Sequence, residues 1–64
     1  MKAWVIKRDS EKYQFAAKRE WCDFEWETLS NSTLFSNSED ATFAIENSHL
    51  LRTGNPVMVT ITED

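Results

Sequence analysis

The sequence predicts a small α+β domain: an antiparallel sheet of three to four strands with one helix packed on one face, in the order β-β-β-α-β. Three observations lead there. Apolar residues alternate with period 2 near residues 2–8, 13–17, 20–27 and 57–62, the spacing of strands. Residues 38–50 open with helix-start chemistry and continue with apolar residues three and four apart, the spacing of one buried helix face. The chain has 64 residues, room for one domain near the lower size limit for a core without disulfides or metals.

Each element has its own local reason. In 2–8, Trp4 and Ile6 point one way and Ala3 and Val5 the other. A strand apolar on both faces suits the interior of a sheet. Arg8-Asp9-Ser10-Glu11-Lys12 reads as a polar turn of about 3–5 residues joining a hairpin. The second strand then places Tyr13, Phe15 and Ala17 on one face and Gln14 and Ala16 on the other. In 20–27, Cys22, Phe24 and Trp26 share one face, with Trp21, Asp23, Glu25 and Glu27 opposite. The alternation and the aromatics favour a strand over a helix. Thr28 to Thr33 is loop chemistry, and Leu34-Phe35 forms a short extended stretch or an anchor for the loop.

Asn37 or Ser38 can cap the helix, and Glu39 and Asp40 put negative charge in its first turn. Ala41, Ala44, Ile45 and Leu51 follow the buried spacing, with Phe43 at the edge. Gly54 is expected in a left-handed cap, and Pro56 cannot continue a helix. In the last strand, Val57, Val59 and Ile61 are expected to face the core and Met58, Thr60 and Thr62 to face away.

Composition narrows the function classes. Cys22 is the single cysteine and His49 the single histidine, so no internal disulfide and no Cys/His metal cluster exists. A secreted domain this small usually carries several disulfides, which points to the cytoplasm. No apolar run approaches the ~20 residues that span a bilayer, and the apolar stretch at the start is too short for a signal peptide. One glycine rules out a glycine-rich phosphate loop. His49 lacks convergent partners, and Asp23 beside Cys22 would raise a thiol pKa rather than activate it. Asp23, Glu25 and Glu27 at period 2 read as a solvated face rather than a metal or acid/base cluster. The sequence thus predicts no catalytic residue, cofactor or metal, and no enzyme.

Binding remains. One helix covers only one face of a sheet, and the sequence supplies apolar groups for both. That predicts an unidentified protein partner or self-association, with a homodimer as one form. Trp21, Phe24 and Trp26 are the candidate interface anchors, since aromatics dominate interface energetics; core packing is the competing role for all three. Net charge is −4, but residues 1–19 carry +4 and residues 20–64 carry −8. The basic half supports an alternative: Lys2, Lys7, Arg8, Lys12, Lys18 and Arg19 with nearby aromatics as a nucleic-acid-binding hairpin. The overall negative charge opposes it. A further alternative is an acidic inhibitor whose carboxylates occupy the basic groove of a DNA-binding protein.

Trp4-Val5-Ile6-Lys7, Lys12-Tyr13-Gln14-Phe15 and Leu34-Phe35-Ser36-Asn37-Ser38-Glu39-Asp40-Ala41 together resemble the small uncharacterised proteins of bacteriophages and prophages of Gram-positive bacteria. The resemblance spans most of the chain and carries over no functional residue. It implies a cytoplasmic setting in a bacterial host and a role exercised by binding.

Overall fold

The computed structural model describes residues 1–19 and 24–61. Strands β1 (Lys2–Lys7), β2 (Phe15–Ala17) and β3 (Glu25–Glu27) come first. A 3₁₀ turn over Leu29–Asn31, helix α1 (Ser38–Glu46) and a second 3₁₀ turn over Leu50–Thr53 precede strand β4 (Asn55–Thr60). The strands form one antiparallel sheet in the order β3-β2-β1-β4. The α+β class, the element order and the interior position of β1 agree with the sequence.

β1 pairs with β4 from Lys2↔Thr60 to Lys7↔Asn55, yet meets β2 only at Lys7↔Phe15. The extended segment 33–35 fills the fork between β1 and β2. Trp4 and Phe35 exchange both backbone hydrogen bonds at 2.8 Å, and the Thr33 amide donates to the Ala16 carbonyl at 3.0 Å. Leu34-Phe35 is therefore a wedge that satisfies backbone groups the short β2 leaves open.

The core lies between the sheet and α1. Ile6, Ala16, Ala41 and Leu51 are fully buried, with Trp4, Phe24, Trp26, Phe35, Ala44 and Ile45 packed around them. On the opposite face Ala3, Val5 and Ala17 are also buried. The register sets Val57 against Val5 and Val59 against Ala3, so these two valines share that second face. The expectation that they face the helix-side core is corrected: partners in a ladder share a face, and the helix takes the Trp4–Ile6 face.

Asn37 caps α1, its Oδ1 accepting from the Asp40 amide at 2.8 Å, and Ala41 is the buried residue of the first turns. The helix stops at Glu46 rather than near residue 50. The Asn47 side chain donates to the Phe43 carbonyl at 2.7 Å, and Asn and Ser compete in this way with helical backbone bonding. Leu51 reaches the core from the 3₁₀ turn. Gly54 has φ −93 and ψ 163, extended rather than left-handed. Among the described residues it is Tyr13 that is left-handed, at φ 53, outside β2, and the β1–β2 loop runs from Arg8 to Gln14, longer than expected.

Candidate interaction surface

Trp26 sits opposite Ala16 in the sheet register. Its ring extends over the core, so that a Cβ built on Gly54 would lie 3.1 Å from Trp26 Cη2. The Arg8 guanidinium stands 4.5 Å from the ring centroid, a cation–π distance, and Arg8 Nε donates to the Tyr13 carbonyl at 3.1 Å. Trp26 is half-buried, as is Phe24, and both pack against the core. Trp21 and Cys22 lie outside the described residues.

The six candidate cations are distributed rather than gathered. Lys2 and Lys7 are five residues apart in β1, which puts them about 17 Å apart on opposite faces. Lys7 and Arg8 share a hollow with Asp9, Lys12 lines another with Glu11, and Lys18 lines a third with Asp40. Each hollow thus mixes both signs of charge. Arg19 donates through Nε to Glu25 Oε2 at 3.1 Å and through a terminal nitrogen to Glu27. Its hydrogen bonds to the accepting carboxylates of Glu25 and then Glu27 hold its pKa above the usual arginine value.

That clasp also revises the reading of Glu25 and Glu27 as a solvated acidic face. Both are half-buried and share one guanidinium. Among the described residues no group of three or more His, Cys, Asp or Glu side chains could hold a metal ion, and His49 is exposed.

Two surface features emerge only once the chain is folded. The first is a groove of about 500 Å³ between α1 and the β2–β3 side, where Phe24, Phe35, Phe43 and Ala44 meet Lys18 and Asp40. Phe43 is 67% exposed there.

The second is the outer edge of β4, and its geometry follows from parity. The Trp4 backbone groups point to Phe35, away from β4, and the Arg8 amide points to Gln14. Backbone groups alternate sides along a strand. The hydrogen-bonded pairs of β1 with β4 are therefore Ala3–Val59, Val5–Val57 and Lys7–Asn55, and the Ile61 amide bond to the Met1 carbonyl at 2.7 Å extends the series. Pro56, Met58 and Thr60 consequently aim their backbone groups outward. Pro56 offers only a carbonyl, whereas Met58 and Thr60 each offer an amide and a carbonyl.

Among the described residues no strand covers this side. Val57 is 37% exposed and Met58 49% exposed. The signal in the sequence was Asn55-Pro-Val-Met-Val-Thr-Ile-Thr62, a run without charge. The opposite edge differs. β3 is three residues long and carries the Arg19-bound glutamates, the short, charged form that discourages pairing.

No protein-family model, no curated protein and no solved structure matches the chain. Among the described residues no helix is long and apolar enough to cross a membrane.

Proposed function

We propose that this chain is a non-catalytic protein-interaction module that takes up extended polypeptide along the outer edge of β4. The observation that carries the reading is the outward row of backbone groups at Pro56, Met58 and Thr60 on a long uncharged strand, beside exposed Val57 and Met58. Backbone bonds along such an edge supply affinity, and alternate side chains supply selectivity. Natural monomers commonly blunt a strand of this kind with charge, bulges or a covering segment. Among the described residues only Pro56 interrupts the edge. The bacterial cytoplasm of a phage-infected or lysogenic host, implied by the resemblance, is part of the same proposal.

The nucleic-acid reading has less support. Its six cations do not share one surface, and Arg19 is already bound by two carboxylates. The acidic-inhibitor reading loses Glu25 and Glu27 to the same arginine.

The test is retention on immobilised protein, wild type against Met58→Pro. The substitution removes an outward amide and leaves the β1 ladder its own bonds. Nuclease-treated bacterial lysate containing a differently tagged copy of this chain is passed over both. At least one polypeptide is expected on the wild type and not on the folded variant. Identical retention on both would refute edge docking.

A further inference from the structure

We propose that the occupant of the β4 edge is a second copy of this chain, joined antiparallel across a two-fold axis at Met58; this rests on the edge-docking reading above. The outward groups complement themselves in that register. Met58 faces its own copy, and the two residues exchange both backbone hydrogen bonds. Thr60 faces Pro56 of the copy, so each Thr60 amide donates to a Pro56 carbonyl. Proline's missing N–H falls opposite the Thr60 carbonyl at the end of the pairing, where water can reach it. Both outward amides of Met58 and Thr60 thus find acceptors on each chain. A two-fold at Pro56 would oppose two residues without donors, so the proline selects a register nearer the C-terminal end of the strand.

Side chains agree with the register. Val57 meets Val59 of the copy on the face opposite α1, which joins the Ala3–Val59 and Val5–Val57 rows of both chains. Met58 meets Met58 on the helix-side face. No charge occurs at positions 55–62, so two chains of net charge −4 approach here without a like-charge pair directly opposed.

The experiment is sedimentation velocity over a concentration series on four samples: the full wild-type chain, Met58→Lys, Met58→Glu, and an equimolar mixture of the two variants. Circular dichroism checks that each is folded. Wild type is expected to sediment as a dimer, and each variant alone to associate at least about tenfold more weakly, since the two-fold sets like charge against like charge. The mixture is expected to recover a dimer, because lysine then faces glutamate. Should the Met58 variants fail to fold, Thr60→Pro removes the other outward amide and is expected to weaken the dimer in the same way.

Wild type that stays monomeric at millimolar order overturns the proposal, as does a dimer that neither charge nor proline at the edge affects. If wild type is monomeric and a different polypeptide still shows Met58-dependent retention, self-pairing falls and edge docking stands. If neither association depends on the edge, both fall.

Discussion

Gly54→Ala isolates why the one glycine of the chain stands where it does. Its φ of −93 is open to any residue, so backbone conformation does not require glycine. Judged on the chain alone, alanine would help, stabilising by about 0.4–1 kcal/mol through a less flexible unfolded state. Space decides otherwise. The new Cβ would fall 2.6 Å from Ile6 Cγ2, 3.1 Å from Trp26 Cη2 and 3.2 Å from the Leu51 carbonyl oxygen. Ile6 is fully buried and Leu51 is fully buried, so neither has free volume to move into, and overpacking of this kind costs about 1–3 kcal/mol.

The steric term wins, and a net loss of about 1–2 kcal/mol is expected. For a domain of this size that lowers Tm by roughly 5–15 °C. Thermal and urea melts followed by tryptophan fluorescence measure it. Ile6→Leu removes the γ2 methyl that makes the closest contact, so in the double variant the two losses should be less than additive. An unchanged or raised Tm in Gly54→Ala would refute the packing account, as would strict additivity with Ile6→Leu.

Two further substitutions test the frame around that site. Trp26→Ala should cost about 3 kcal/mol or more, against a total stability of about 3–10 kcal/mol for a chain this long; urea unfolding is expected to lose cooperativity, and a cooperative fold with only association lost would return Trp26 to the role of interface anchor. Asn37→Ala should lower stability by about 1 kcal/mol by leaving the Asp40 amide without its cap, whereas Asn37→Asp keeps an acceptor and should change little; equal losses in both, by denaturant titration, would show that the cap acceptor is not what matters.

The parts legible in the sequence are those fixed by short-range chemistry. The alternation of Trp4-Val5-Ile6 and the acid-rich start after Asn37 each determine local structure with few competitors, and both elements begin where they are read. What was not legible depends on partners distant in the chain. The face taken by Val57 and Val59 is set by their register with Val5 and Ala3, and alternation alone cannot say which of two apolar faces a helix will cover. Glu25 and Glu27 look solvated until Arg19 is brought beside them. Gly54 carries the residue type of a left-handed cap, but its constraint is the approach of Ile6 and Trp26 across the sheet. The β4 edge needed the strand order as well as the uncharged run.

Aromatic richness alone does not distinguish a ring that fills a core from one that forms an interface. The structure uses a third arrangement. The fully buried residues are small or aliphatic: Ala16, Ala17, Ala41, Val5, Ile6 and Leu51. Trp4, Phe24, Trp26 and Phe35 are each half-buried and lie around the helix-side set of Ile6, Ala16, Ala41 and Leu51. Small residues at the centre let the sheet, the helix and the 3₁₀ turn approach closely, and the broad rings then close the rim that so short a chain cannot otherwise cover. Trp26 illustrates the arrangement, with Ala16 beside it in the ladder, Gly54 yielding space at its tip and Arg8 over its ring. Rings committed to such a rim have little freedom to serve as detachable anchors for a partner. The association proposed above therefore draws on surface that the rim leaves open: along the uncharged outer edge of β4, exposed apolar side chains and outward backbone groups occur together.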